Sequence, residues 1–211
     1  MYKEYRWTDS EADSTTFIMP QLKKVLSCDN NRCILDLGCG NGKIANKLIA
    51  DGFSVYGVDG SREGVEVANK YNNGHFYVMD FEKDELPEEL SGLLFDTVIS
   101  TEVIEHLYSP DSYMKLCRKV LKSGGMLVLT TPYHGYLKNM LLSVTGKWDA
   151  HLSPLWEGGH IKFWSKKTLT KLLNDNGFEI KKFLGCGRLP YVWKSMLFEA
   201  VCAASVEEHE K

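Results

Sequence analysis

The sequence lacks three features that would direct the chain to a special environment: paired cysteines, long apolar runs and a surplus of basic residues. There is no C-x-x-C pair, although disulfide frameworks and structural zinc sites usually need cysteines at set spacings. Several cysteines fall within apolar runs, so we expect reduced, buried thiols in a cytoplasmic protein. The six cysteines are scattered over 211 residues, at Cys28, Cys33, Cys39, Cys117, Cys186 and Cys202.

The lack of long apolar runs and of a surplus of basic residues excludes further classes of protein. No apolar run is long enough to span a bilayer, and residues 1–7 do not read as a signal-peptide core. The net charge is −3, which does not favour a large nucleic-acid surface. The composition is 44% hydrophobic without a break along the chain, so we expect one well-buried domain spanning residues 1–211.

A glycine-rich turn stands at the centre of the pattern. The short apolar run 33–37 predicts a buried parallel strand, which contains Asp36 and is followed by glycines at alternate positions. Such glycines let the main chain approach a ligand at the carboxyl edge of a sheet. The spacing is G-x-G-x-G, whereas a dinucleotide fingerprint is G-x-G-x-x-G, and an acid so close would repel a pyrophosphate. The turn comprises Gly38, Cys39, Gly40, Asn41 and Gly42.

The stretch Asp36-Leu-Gly-Cys-Gly-Asn-Gly42 resembles the first motif of the class I S-adenosylmethionine-dependent methyltransferases. The resemblance implies that the turn makes room for the methionine part of the cofactor, with Asp36 close to it. It also implies a Rossmann-like α/β fold with a doubly wound, mostly parallel seven-stranded sheet. The alternation of predicted strands and helices along the chain is typical of that architecture.

Acids at the ends of the next two predicted strands fit nucleoside binding. Asp59, followed by Gly60, ends the second strand, where an acid can accept both ribose hydroxyls in methyltransferases and in NAD enzymes alike. Asp80 and Phe81 end the third strand, and in the resembled family these positions meet the adenine ring. A turn acid and a core aromatic remain the alternative for this pair. Thr101, at the end of the fourth strand, completes the predicted cofactor set.

Candidate catalytic residues follow the fourth strand. Glu102, Glu105 and His106 stand at positions i, i+3 and i+4, so a helical turn would place them on one face beside the cofactor. They could be a general-base set, a ligand set for a hard divalent cation, or a structural polar turn. His160 is a further candidate. The pattern resembles those of small-RNA 2′-O-methyltransferases, where such residues hold magnesium, and of ubiquinone-biosynthesis O-methyltransferases.

Two segments are predicted to cover the site. The first, about residues 1–30, is a helical lid that would include Tyr5, Arg6 and Trp7, or else a helix packed on the sheet. The second is a capping insertion over about residues 133–160, whose apolar residues recur at helical spacing while Lys138 and Lys147 lie elsewhere. Its apolar face predicts a lid over an apolar acceptor, a peripheral membrane contact, or plain core packing. Segment 188–193 could line the acceptor pocket.

The sequence thus predicts methyl transfer from S-adenosylmethionine to a hydroxyl of a small or lipid-like molecule, with magnesium as a possible second cofactor. RNA 2′-O-methylation is the alternative within the fold, opposed by the acidic balance. An NAD-dependent oxidoreductase and a non-catalytic cofactor-binding module are alternatives of other classes. The acceptor and the oligomeric state stay open.

Overall fold

The computed structural model describes residues 14–72, 74–81, 85–152, 154–156 and 158–203. Seven strands form one sheet in the order β3-β2-β1-β4-β5-β7-β6. The strands are β1 Cys33–Leu37, β2 Ser54–Asp59, β3 Phe76–Val78, β4 Phe95–Thr101, β5 Leu121–Pro132, β6 Phe178–Cys186 and β7 Ser195–Cys202. The first five run parallel, and β7 pairs antiparallel with both β5 and β6. This is the predicted doubly wound, mostly parallel seven-stranded sheet.

Helices lie on both faces of the sheet, because successive residues of each buried strand point to opposite faces. In β1, Ile34 joins one apolar cluster, whereas Leu35 and Leu37 join the other. The helices are α1 Thr15–Val25, α2 Lys43–Ala50, α3 Arg62–Asn69, α4 Pro110–Val120, α5 Tyr136–Val144, α6 Trp148–Leu152 and α7 Lys166–Asp175. Short 3₁₀ turns cover Glu88–Leu90 and Ile104–His106. No helix among these residues has the length and apolarity to cross a bilayer.

The start of β5 is irregular. Helix α4 ends at Val120 and the strand begins at Leu121, so Gly124 and Gly125 lie within the strand. The pairing of β4 with β5 shifts here, from Phe95 opposite Leu121 to Thr97 opposite Met126. Gly124 has φ +70°, so the glycine pair allows a bulge inside the strand and does not cap the helix.

The N-terminal helix packs on the sheet and also reaches the carboxyl edge. Ile18 and Leu22 of α1 are fully buried in the cluster that contains Val128 and Leu197 of the sheet. The first residues of α1 border the large cavity at that edge. The described part of the predicted lid therefore packs on the sheet and also borders the cavity. Tyr5, Arg6 and Trp7 lie outside the described residues.

Candidate active site

One cavity of about 1100 Å³ opens at the carboxyl ends of the parallel strands. Open α/β sheets bind ligands in this crevice, where the strand order reverses between β1 and β4. Pockets for single drug-sized ligands are ~300–1,000 Å³, so this volume suits a cofactor together with an acceptor. The lining includes Asp36, Gly38, Cys39, Gly40, Asp59, Gly60, Phe81, Thr101, Glu102, His106 and His160 from the predicted set. Gly42 and Asp80 are not part of the lining, and Glu105 lies behind it.

The glycine turn is shaped for close packing. Gly38 has φ +89°, and a Cβ built on it would lie 2.3 Å from Val103 Cγ2. A side chain at this position would therefore clash as well as strain the main chain. The turn is tied to β2, since the Gly38 N–H donates to Val58 O at 2.8 Å and the Gly40 N–H donates to Asp59 Oδ2 at 2.8 Å.

Asp36 lies beneath the turn and is 1% exposed. Its Oδ1 has no hydrogen-bond partner among the described residues. Burial, with a smaller repulsion from Asp59, raises the pKa of this carboxyl to about 8. A buried carboxyl oxygen without a donor is costly unless a ligand supplies one. The turn thus presents an acceptor to a cationic or hydrogen-bonding group placed in the cavity.

Asp59 fixes the geometry at the end of β2. Besides the Gly40 N–H, its carboxylate accepts the Ser61 N–H on Oδ1 at 2.8 Å. Each carboxylate oxygen can accept more than one hydrogen bond, so these two contacts do not by themselves exclude hydroxyl donors of a ligand. Cys39 is buried next to Asp59, and burial holds the pKa of its thiol well above the usual value. The thiol is thus a neutral part of the lining, since a nucleophile would need the thiolate.

Glu102 and Glu105 do not share a helical face as the spacing suggested. The 3₁₀ turn begins only at Ile104, and Glu102 stands before it with φ +56°. The Glu102 carboxylate accepts the Thr130 hydroxyl on Oε1 and the Ser195 hydroxyl on Oε2, each at 2.9 Å. Burial outweighs these hydrogen bonds and raises the pKa of Glu102 to about 7. The side chain, which leaves a strained backbone position, is thus fixed by hydrogen bonds to β5 and β7.

Glu105 anchors the segment that carries His160. Its main-chain oxygen accepts the N–H groups of Ile161 and Lys162, at 2.9 and 3.0 Å. Its side chain is 1% exposed; Oε2 accepts the Thr131 hydroxyl, whereas Oε1 has no partner within hydrogen-bond distance. Burial first, and repulsion from Glu102 second, raise the pKa of Glu105 well above its usual value.

His106 and His160 pack edge to face, and His160 lies beside this carboxyl. The His106 Nδ1 donates to Gly158 O at 2.8 Å, which leaves Nε2 as the acceptor in the neutral ring. The two imidazole centroids are 4.9 Å apart, and His160 Nε2 lies 3.9 Å from Glu105 Oε1. Burial lowers the pKa of both histidines, that of His160 to about 4, so both rings are neutral at pH 7. Ligand atoms of Glu105, His106 and His160 lie within 4.8 Å of one another, close enough for one metal ion to reach all three.

The capping insertion is oriented differently from the sequence prediction. The apolar side chains of α5 were expected to face an acceptor, but they point outward, with Tyr136 85% and Val144 80% exposed. The residue of α5 that borders the cavity is Lys138, which is buried. Burial lowers the pKa of its amine to about 8. The helical spacing grouped the apolar residues on one face of α5, but it did not indicate which face of the helix lies inward.

Several lining residues were missed by the sequence analysis or mentioned only in passing. His151 and Trp156 come from the insertion, and Trp193 and Lys194 from the turn before β7. Arg188, Leu189 and Val192 border the cavity as the segment 188–193 suggested. The available signal was the density of histidine between residues 134 and 160, which holds three of the six in the chain.

The sheet order, the glycine turn and the acid at the end of β2 define a Rossmann-like methyltransferase fold. A family model described as a methyltransferase domain matches residues 11–182. The chain belongs to this family, and its prediction as a class I S-adenosylmethionine-dependent methyltransferase is confirmed at the level of family and fold.

Relatives and solved structures agree with this assignment. The human mitochondrial ubiquinone biosynthesis O-methyltransferase is 32% identical over 162 residues, which are 72% of this chain and 42% of that protein. The Rickettsia canadensis ubiquinone biosynthesis O-methyltransferase is 28% identical over 152 residues, 72% of this chain and 64% of that one. The chain therefore spans less than two thirds of the length of either relative. The magnesium protoporphyrin IX methyltransferase of Synechocystis, solved with bound SAH, has a TM-score of 0.65 at 20% identity, with 93% of this chain and 90% of that chain covered.

Proposed function

We propose that the protein transfers the methyl group of S-adenosylmethionine to a hydroxyl group of a small or lipid-like acceptor. The observation that carries the proposal is that one cavity is lined both by the glycine turn and by Glu102, His106 and His160. The names of the curated relatives, which are ubiquinone biosynthesis O-methyltransferases, support a hydroxyl acceptor.

The cofactor end would hold S-adenosylmethionine through contacts the chain already offers. Asp36 Oδ1, buried without a donor, suits the ammonium group of the methionine part. Asp59, which lines the cavity at the end of β2, suits the ribose hydroxyls, and Phe81, held edge-on by Tyr113 at 5.5 Å, suits the adenine. Asp80 stays a prediction for the adenine amino group. When bound, the cofactor supplies a methyl group activated by the sulfonium.

The acceptor end would orient the hydroxyl and remove its proton. Transfer is an in-line displacement, so most of the acceleration comes from holding acceptor and methyl group in line. His106 and His160 are neutral at pH 7 and can accept the proton of the hydroxyl. Glu105 stands beside His160 and would stabilise the imidazolium that results, provided that its carboxyl is ionised.

A metal-assisted version of the site is the second candidate. The fit rests on Glu105 Oε1, which is buried without a donor, and on the neutral nitrogens of His106 and His160 close to it. A divalent cation there would favour the ionised form of Glu105 and lower the pKa of an acceptor hydroxyl. RNA 2′-O-methylation belongs to this version, and the net charge of −3 weighs against it.

The outward face of α5 supports a lipid-like acceptor and a peripheral membrane contact. Met140 and Leu141 are each 41% exposed, and Leu155, in the same insertion, is 96% exposed. Exposed apolar side chains beside a cavity suit an acceptor delivered from an apolar phase. The cytoplasmic location stays part of the proposal, and the free thiols of all six cysteines are compatible with it.

The test is transfer of radiolabelled methyl from S-adenosylmethionine to a panel of hydroxyl acceptors, with an RNA oligonucleotide bearing a free 3′ end as a separate arm. The expected result is labelling of a phenolic or lipid-like acceptor but not of RNA, reduced by His160→Ala. His75→Ala is the matched control, because the His75 ring contacts Val55 O near the amino ends of β2 and β3 and does not line the cavity. Saturable cofactor binding without transfer to any arm would favour a non-catalytic module, and labelled RNA would favour the second candidate.

A further inference from the structure

Helix α5 reverses the usual amphipathic arrangement. All nine of its residues are described, and Lys138 is the buried one among them. Its apolar side chains lie outward, with Tyr136 and Val144 almost fully exposed. A helix packs with its apolar stripe inward unless another requirement overrides this preference. The inward lysine therefore indicates a requirement that lies inside the cavity.

The surroundings of Lys138 contain little that neutralises its charge. The residue is 6% exposed and borders the cavity. Its Nζ donates to Lys194 O at 3.3 Å, and no ion pair joins it to a carboxylate of the described residues. A buried cation is stable only when paired, so one main-chain oxygen at a long distance leaves most of the desolvation cost uncompensated.

The nearest acidic side chain is already engaged. Glu102 interacts with Lys138 electrostatically, but both of its oxygens accept hydroxyl hydrogen bonds, from Thr130 and from Ser195. The remaining groups that act on the amine are Lys194, which repels it, and the neutral rings of His134, His151 and His160. An anion within the cavity would complete this part of the site.

We propose that Lys138 is a specificity-determining residue, which selects acceptors that carry an anionic group, a carboxylate or a phosphate, near the hydroxyl to be methylated. The inference rests on the proposed function and deepens it by naming the charge of the acceptor. Trp156 and Trp193 border the same cavity, so an aromatic ring between hydroxyl and anion matches its walls.

The test compares acceptor analogues that differ in charge but hardly in shape. Protein saturated with S-adenosylhomocysteine is titrated calorimetrically with 4-hydroxybenzoate, with the neutral 4-hydroxybenzamide and with 4-hydroxyphenyl phosphate. Wild-type protein should bind one of the two anions at least about tenfold more tightly than the amide, as expected for a charge-assisted contact. The analogue that binds more tightly indicates whether the acceptor carries a carboxylate or a phosphate.

Variants then assign the preference to the amine. Lys138→Met, which keeps the length of the side chain, should abolish the preference for the anion while binding the amide as before. Lys138→Arg should retain most of it, and Lys147→Met, an exposed lysine just beyond the same helix, should change nothing. Equal binding of anions and amide by wild-type protein, or a preference that survives in Lys138→Met, would overturn the inference. Failure to bind S-adenosylhomocysteine would instead overturn the proposed function.

Discussion

The two ends of the cavity are built in different ways. The cofactor end consists mainly of turns that directly follow β1 and β2, where main-chain geometry and two aspartates shape the surface. The acceptor end is assembled from side chains on the turn after β4, the insertion after β5 and the loop before β7. One end is therefore encoded in short contiguous motifs, whereas the other depends on how distant segments pack together.

The electrostatics of the two ends differ as well. Asp36 and Asp59 make the cofactor end acidic, which suits a ligand with a sulfonium and an ammonium. At the acceptor end, Lys138 and Lys194 accompany neutral histidines, and burial raises the pKa of the Glu105 carboxyl well above its usual value. An acidic end and a basic end in one cavity favour a cationic donor beside an acceptor of opposite charge.

The largest expected effect is the loss of cofactor affinity on substitution of Gly38, at the cofactor end of the cavity. Gly38→Ala should weaken S-adenosylhomocysteine binding by roughly 100-fold or more, because the added Cβ would meet Val103 and strain the turn. Equilibrium titration measures this effect. Gly52→Ala is the matched control, since Gly52 also has a positive φ, +97°, but nothing lies within 4 Å of its Cβ position. Equal affinity in the two variants would show that the turn does not form the cofactor site.

Breaking the acceptor end should leave cofactor binding intact. Glu105→Gln and His160→Ala are each expected to lower the transfer rate by about 10²–10⁴-fold, the usual contribution of a positioned acid or base. The dissociation constant of S-adenosylhomocysteine should stay within about twofold, because neither residue forms the glycine turn. Steady-state kinetics with the acceptor found in the screen give the rate. Glu66→Gln, an exposed carboxyl on α3, is the control. If both variants transferred the methyl group at the wild-type rate, Glu105 and His160 would have no part in the mechanism.

Adding a divalent metal ion tests whether the acceptor end of the cavity, unlike the cofactor end, is a metal site. If the second candidate holds, manganese or magnesium should raise the melting temperature of wild-type protein, since a ligand that binds only the folded state stabilises it. The shift should disappear in His160→Ala and persist in His75→Ala. Thermal melts with and without a chelator measure it. Identical melts under all these conditions would leave metal-free proton transfer as the mechanism.

A smaller effect concerns Asp36 and pH. Its pKa is about 8 in the folded protein without cofactor, so the carboxyl is mostly protonated at pH 7. Pairing with the ammonium of the cofactor favours the ionised form, so binding at pH 7 should release close to one proton. Affinity should accordingly rise with pH, by up to about tenfold between pH 6 and pH 7.

Titration calorimetry in two buffers of different ionisation enthalpy measures the number of protons released when the cofactor binds. Asp36→Asn should bind without releasing it, and Asp29→Asn, an exposed control, should behave like wild-type protein. The sign of the stability effect follows from the same pKa. The raised pKa means that the contribution of Asp36 to folding is complete below about pH 4 and is lost as the pH rises through about 8. Binding without proton exchange at pH 7 would contradict the role given to Asp36.

The position of the proposed cofactor residues could be predicted from the sequence, because each of them ends or follows a recognisable strand. Asp36, Asp59 and Thr101 lie within the last two residues of β1, β2 and β4, and the carboxyl ends of parallel strands meet at one edge. The doubly wound, mostly parallel seven-stranded sheet was implied by the resemblance. The bulge at Gly124 was not predicted, because a glycine pair does not by itself distinguish a bulge within a strand from the end of a helix.

The acceptor end could be predicted only in part. The spacing of Glu102, Glu105 and His106 predicted that they lie together but not the directions of their side chains, since Glu102, at a positive φ, bonds to Ser195, 93 positions away along the chain. Lys138 was placed off the apolar face, and that apolar face was expected to turn inward. A buried lysine contradicts that rule, and only packing reveals it.

The most direct test of the central claim is calorimetric titration of wild-type protein and Asp59→Asn with S-adenosylhomocysteine. Our account predicts saturable binding at one site per chain, weakened by at least about tenfold in Asp59→Asn, which loses a charged acceptor of ribose hydroxyls. Asp29→Asn should bind like wild-type protein. Absence of binding by the wild type, or equal binding by all three proteins, would contradict the assignment of this cavity to the cofactor.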